Sequence, residues 1–359
     1  MSGDREQILR EYRAYDARVD IVSCFEVYFT LSTSLPSTVA RFERFPRYVG
    51  PDGAEVTPDF TVLFNDNTLL VGEISNLARN DESLESLLGQ VGRYDALRTA
   101  PSGRRAGGGH ELADVTHADV VLVIPDADSN AACDRIDDAI EKRAWGYNPS
   151  QRPTVISWSF DRPNSRYVFK YDDRANNPRP RTHGRDPSIT SWLRDNSDTL
   201  RCSGDHFNRV KITQRFMNDR PPPLYTATIL WLTALPALAA PDVPPTDVSV
   251  TPARLGEWLR GNLGWGDADA VRAGLDFLAR AGLARERRDD WVIPLAVTGR
   301  SHDEVHEELL RRHLSKPSGP IGLQDRTEQA DRAARSEQQR QDGLEAQGLL
   351  PLDAPSEGE

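Results

Sequence analysis

The chain has 359 residues, a formal net charge of −11 at pH 7 and a hydrophobic content of 38%. That length allows two domains with separate cores, and that charge excludes a uniformly basic nucleic-acid binder. Cys24, Cys133 and Cys202 are far apart and form no CxxC, which excludes a disulfide framework and a zinc finger.

The opening MSGDREQILREYRAYD lacks the apolar core of a signal peptide, so a cytoplasmic location is expected. Residues 5–35 have apolar positions at helical spacing and predict a helix. ARFERFPRYV alternates like a strand and PDG turns the chain. DFTVLF and TLLVGEI predict two strands joined at Asn65-Asp66-Asn67. SLESLLGQVGRYDALR places Leu84, Leu87, Leu88, Val91, Tyr94 and Leu97 on one helical face. The Gly-rich GRRAGGGH lacks GxxxxGK[ST] and reads as a flexible loop. ADVVLVIP is a continuous apolar run and predicts a buried central strand. An amphipathic helix, ACDRIDDAIEKRAW, and two strands, PTVISWSF and RYVFKY, complete an α/β domain over residues 1–172.

Residues 173–222 carry ten Arg or Lys against six acids and read as a basic connector, with Arg179, Arg181 and Arg185 as candidate backbone contacts for a nucleic acid. Over 223–298, TPARLGEWLRGNL and DADAVRAGLDFLARAGL predict two helices, and ARERRDDWVIPL a ribbon turning at Asp289-Asp290. Helix, turn, helix, ribbon is the order of a winged helix, with Arg285, Arg287 and Arg288 in the wing. The acids Asp267 and Asp269 at the start of its second helix suit a phosphate-lined groove poorly, so a protein partner or a homodimer is an expectation beside DNA. SHDEVHEELLRRH is not HExxH and reads as a charged surface helix, and the Gln-, Arg- and Glu-rich remainder of 299–359 as a disordered acidic tail. No apolar run spans a membrane, because Pro236 breaks the longest, TATILWLTALPALAA.

One stretch carries chemistry. With Asn65-Asp66-Asn67 as the turn, pairing is symmetric about Asp66: Val62 faces Leu70, and Asp59 faces Glu73. Phe60, Val62 and Phe64 then share a face with Leu70 and Ile74, while Asp59 and Glu73 meet on the other, roughly 5 Å apart at Cβ. Two carboxylates that close call for a cation or a shared proton, and a hard ion such as Mg²⁺ suits oxygen ligands.

The stretch PDF (58–60) followed by GEIS (72–75), between a preceding and a following helix, resembles the PD-(D/E)XK nuclease superfamily, and the αβββαβ element order is similar too. The resemblance covers roughly residues 20–160. It implies a restriction-endonuclease-like fold and Mg²⁺- or Mn²⁺-dependent hydrolysis of DNA in repair or mobile-element defence, with Asp59 and Glu73 at the metal. Glu26, in CFEVYF, is placed like the acid many members carry on the first helix. Gln90 and Tyr94, in GQVGRY, resemble the QxxxY pair of RecB-like members. The family's lysine, two residues after the Glu, is replaced by Ser75, and the first lysine in the chain is Lys142. Arg93 is one substitute for that cation, although arginine is a poor proton acceptor. Two readings stand: an active variant with a relocated cation, or a catalytically inactive nuclease-like scaffold acting as a DNA-binding or assembly module through its winged helix. A transcription regulator with a sensor-like α/β domain is a third.

Overall fold

The computed structural model describes residues 2–31, 38–49, 53–75, 81–104, 110–171, 200–204, 215–239, 247–288, 290–294 and 302–315. The chain is a mixed α/β protein built on a seven-stranded mixed sheet. Its elements run α1 (Ser2–Leu31), β1 (Val39–Arg44), β2 (Tyr48–Val49), β3 (Glu55–Val56), β4 (Phe60–Phe64), β5 (Thr68–Ile74), α2 (Asp81–Asp95), β6 (Thr99–Arg104), β7 (His110–Asp114), β8 (His117–Pro125), α3 (Ser129–Glu141), β9 (Thr154–Asp161), β10 (Arg166–Tyr171) and β11 (Leu200–Ser203). The sheet order is β1-β4-β5-β8-β9-β10-β11. The apolar run expected at the centre lies there: β8 is parallel to β5 on one side and to β9 on the other.

Alternation along the strands divides the core into two layers. Phe60, Val62, Phe64, Leu70, Ile74, Val121, Val123 and Ile156 pack towards α1. Leu63, Leu69, Val71, Val120, Leu122, Ile124 and Val155 pack against the apolar stripes of α2 and α3. Each fully buried side chain of this size contributes about 1.5–3 kcal/mol.

The β4–β5 hairpin has the register expected from its turn, with Val62 opposite Leu70 and Phe60 opposite Gly72. Asp66 Oδ1 accepts from both the backbone N–H (3.0 Å) and the hydroxyl (2.7 Å) of Thr68, fixing the turn. Gly72 is required by its partner: a Cβ there would lie 2.1 Å from the Phe60 ring. That ring is itself held between Phe25 and Phe42, with centroids 4.8 and 5.6 Å away.

Some expectations met differences. The Gly-rich loop is flanked by the paired strands β6 and β7, while residues 105–109 lie outside the described residues. The connector contributes β11 to the sheet edge, paired with β10. Arg179, Arg181 and Arg185 lie outside the described residues, as does the tail from 316 onward.

Beyond the connector come α4 (Pro223–Ile229), continued by a π-helical turn (Leu230–Ala234) into α5 (Leu235–Leu238), then β12 (Asp247–Val250), α6 (Pro252–Leu263), α7 (Ala268–Arg280), β13 (Arg285–Arg287), β14 (Asp290–Pro294) and α8 (His302–Ser315). Strands β12, β14 and β13 form a three-stranded antiparallel sheet. Thr251 caps α6 through its side chain, accepting from Arg254 N–H at 3.1 Å. Asp267 caps α7 in the same way, accepting from Ala270 N–H at 2.7 Å, so this acid has a local structural role. Asp290, expected in the ribbon's turn, pairs with Arg287 as the first residue of β14. Helix α8 does more than expose charge: Val305, Leu309 and Leu310 are buried, and the His306 ring stacks on Tyr12 of α1 at 4.6 Å.

Helix α1 touches both halves of the molecule. Its Phe25 and Phe29 pack on the large sheet, while its Tyr12 and Tyr15 rings meet Tyr225 of α4 at 5.8 and 4.6 Å. Among the described residues no helix is long and apolar enough to cross a membrane.

Candidate functional site

A cleft of about 370 Å³ opens where β4 begins and β5 ends, lined by Asp59, Glu73 and Ser75, by Ser83, Ser86 and Gln90 of α2, and by Arg18 of α1. The end of the connector closes one side, with Met217, Asn218 and Asp219 in its wall.

The hairpin register sets the two acids. Asp59 N–H donates to Gly72 O at 3.1 Å, which continues the ladder one step beyond Phe60 and brings Asp59 level with Glu73. Asp59 is 4% exposed and Glu73 7%, so each needs polar partners. Asp59 Oδ2 accepts from Ile74 N–H at 2.7 Å, and its Oδ1 accepts from Arg18 Nη2 at 3.0 Å. Glu73 Oε2 accepts from the Tyr94 hydroxyl at 3.0 Å and, at the outer limit of a hydrogen bond, from Gln90 Nε2 at 3.5 Å. Gln90 Nε2 also donates to the Tyr94 oxygen. The i, i+4 spacing therefore puts Gln90 and Tyr94 on the same carboxylate. Oε1 of Glu73 has no hydrogen-bond partner among the described residues.

The charges do not balance. Burial, countered by Arg18 and the Ile74 N–H, leaves the Asp59 carboxyl above its ordinary range. Burial and then the neighbouring Asp59 push Glu73 well above it. Burial works against the Arg18 charge, but Asp59 and Asp219 outweigh it and hold the guanidinium protonated. Burial, reinforced by Glu73, raises the Tyr94 phenol, which stays a donor. One guanidinium thus faces Asp59, Glu73 and Asp219, and the cleft favours further positive charge.

The site residues expected from sequence do not all converge. Asp59, Glu73, Ser75 and Gln90 share the cleft, and the Tyr94 hydroxyl reaches it from the core. Arg93 is exposed on α2 and is not among the cleft's lining residues. Glu26 is also absent from that lining; it pairs with buried Arg44 at 3.1 Å, and Arg44 in turn donates to Ser23. In the C-terminal unit, Arg285 lies 3.6 Å from Asp247, whereas Arg287 and Arg288 are exposed. Arg18 and Asp219 are the residues missed. The signal for Arg18 was a charge set beside the inward-turned Tyr15, Val19 and Val22 of α1. Asp219 gave none, sitting as an acid inside a basic segment.

Among the described residues there is no group of three or more His, Cys, Asp or Glu that could hold a metal. Two carboxylates with an open oxygen on Glu73 are nevertheless the kind of set Mg²⁺ uses, since it keeps several waters and takes further oxygens from a substrate phosphate.

Comparison of the chain with protein-family models, with curated proteins and with solved structures gives no match.

Proposed function

We propose that the chain is a metal-dependent phosphodiesterase acting on DNA, built on a PD-(D/E)XK-like domain of restriction-endonuclease type with a C-terminal winged helix. The observation that carries this reading is the meeting of Asp59 and Glu73 in one cleft, with Gln90 and Tyr94 both bonded to the Glu73 carboxylate. Supporting it, α1, β1, β4, β5, α2 and β8 follow the αβββαβ order within one sheet. The order of β12, α6, α7, β13 and β14 likewise suits a winged helix.

Asp59 and Glu73 would hold Mg²⁺ or Mn²⁺. The bound ion would supply Lewis-acid stabilisation of phosphate charge and a lowered pKa for attacking water. Tyr94 and Gln90 hold Glu73 in place, leaving its Oε1 free, and the Ile74 N–H fixes Asp59. Hydrolysis adds one water: its oxygen bonds to phosphorus, the ester P–O bond breaks with its electron pair on the leaving oxygen, and that oxygen takes up a proton. The attacking water's surplus proton goes to solvent. Ser75 lines the cleft and can donate a hydrogen bond, but it brings no positive charge.

A second reading, the inactive scaffold, is favoured by one observation: Arg18 already neutralises Asp59 at 3.0 Å. Conversion of supercoiled plasmid in Mg²⁺ or Mn²⁺, beside an Asp59→Ala/Glu73→Ala variant, separates the two. Cutting that is lost in the variant supports hydrolysis. DNA binding without cutting, unchanged in the variant, supports the scaffold.

A further inference from the structure

The cleft contains a cation that the strand pattern does not provide. Arg18 is the only Lys or Arg among the described residues that line it. Of the described lysines, Lys142 pairs with Asp138 at 2.8 Å and Lys170 lies 3.8 Å from Asp126, both elsewhere. The Arg18 side chain is 26% exposed, so its head group is reachable from the cleft. Nη2 donates to Asp59 and Nη1 to Asp219, at 3.0 and 2.7 Å. Nε is buried and has no hydrogen-bond partner among the described residues. A guanidinium offers five N–H groups in a planar fork that suits phosphate oxygens, and two acids do not exhaust it.

We propose that Arg18 makes the positive contact to the substrate phosphate, from the first helix, for which the end of β5 offers only Ser75. This rests on the phosphodiester reading above. Arginine stays protonated, so Arg18 stabilises charge on the phosphate oxygens and does not accept the proton of water. Asp59 orients it, and Asp219 holds it in reserve at the mouth, where the acid's side chain is 62% exposed and free to give way.

The competing account is that the Arg18–Asp219 pair only straps residues 217–219 to α1. That segment has its own ties: Met217 N–H donates to the Tyr15 hydroxyl at 2.8 Å, and Asn218 Nδ2 donates to the carbonyls of Phe45 and Pro46 at 3.0 and 3.3 Å. A strap that already has three hydrogen bonds does not need the guanidinium. A half-buried guanidinium facing three acids is, by contrast, what an anionic ligand arriving with a divalent ion would find useful.

The experiment uses the full chain with Arg18→Gln, Arg18→Lys and Asp219→Asn. Single-turnover cleavage of a labelled oligonucleotide in Mn²⁺ is measured beside calorimetric Mn²⁺ affinity and thermal unfolding. Arg18→Gln should slow cleavage about 100-fold, with Mn²⁺ bound as tightly as in the wild type or more so, because a competitor has left Asp59. Arg18→Lys should recover part of the loss. Asp219→Asn should speed cleavage severalfold by releasing Arg18. Wild-type rates in Arg18→Gln would overturn the proposal, as would equal losses in Arg18→Gln and Asp219→Asn, which mark a strap. Should Arg18→Gln fail to fold, Asp219→Asn against Arg18→Lys decides between the same alternatives. A wild type that cuts nothing defeats the hydrolytic reading and the proposal together. An active wild type with an active Arg18→Gln defeats the proposal alone.

Discussion

Arg18 on the first helix donates to Asp59 at the start of β4 across 3.0 Å, joining two residues separated by 41 positions in sequence. That contact makes the carboxylate pair asymmetric. Asp59 has a basic partner and a backbone donor, whereas Glu73, among the described residues, has only the uncharged Tyr94 and Gln90 as hydrogen-bond partners. Glu73 is accordingly the acid pushed well above its ordinary range.

A stability test follows from Glu73. A carboxyl whose pKa is higher in the folded than in the unfolded chain binds more protons when folded. The fold therefore loses stability as pH rises from the ordinary glutamate value of 4.5 through the folded value. Glu73→Gln removes that loss. In chelator, the variant should melt above the wild type at pH 8, by more than at pH 4. Equal or lower melting at pH 8 would contradict the asymmetry.

The glycine of the hairpin should resist change. Gly72→Ala would put a methyl 2.1 Å from a Phe60 ring that is itself packed on Phe25 and Phe42. Overpacking of this kind costs about 1–3 kcal/mol. Urea unfolding should read a lower midpoint at unchanged slope.

How much of this was legible in the sequence depends on the range of the contact. The register was, because a three-residue turn and strict alternation leave one pairing that buries Phe60, Val62 and Phe64 together. Gln90 and Tyr94 were, because helical spacing is local. Glu26 was placed at the site by resemblance, yet it lies eight residues beyond Arg18 on α1. Along a helix that is about 12 Å, enough to reach Arg44 at the end of β1 and to miss the cleft. Arg18 and Asp219 depend on how α1 crosses the sheet and where a 201-residue loop closes, which no local pattern encodes. Asp267 reads in the sequence only as an acid that a phosphate-lined groove would repel and is an N-cap, a role its position before a helix already allowed.

Tyr94 should matter through Glu73. Tyr94→Phe keeps the buried ring and removes the hydroxyl that donates to Oε2 at 3.0 Å. Loss of such a supporting hydrogen bond weakens metal binding about 10- to 100-fold. Calorimetric Mn²⁺ titration of the variant should show that drop with little change in melting temperature. Unchanged affinity would mean that Gln90 alone orients the carboxylate.

The C-terminal unit gives a separate test. Arg287 and Arg288 are exposed, and Arg285 is partly engaged by Asp247. If the β13–β14 ribbon contacts DNA phosphates, Arg287→Ala/Arg288→Ala should weaken binding uniformly across sequences. It should also flatten the log–log salt dependence by about 0.9 per lost contact. An unaltered slope would assign this unit to a protein partner.

The central claim is that Asp59 and Glu73 form a divalent-metal site despite the guanidinium beside them. The most direct test is calorimetric titration of the metal-free protein with Mn²⁺, wild type against Asp59→Ala/Glu73→Ala. The account predicts one ion bound per chain by the wild type, an affinity that rises with pH because burial and the neighbouring Asp59 hold the Glu73 carboxyl well above its ordinary range, and no ion bound by the variant. A wild type that binds no Mn²⁺ would contradict it and leave Arg18 as the permanent counter-charge of a site without a metal.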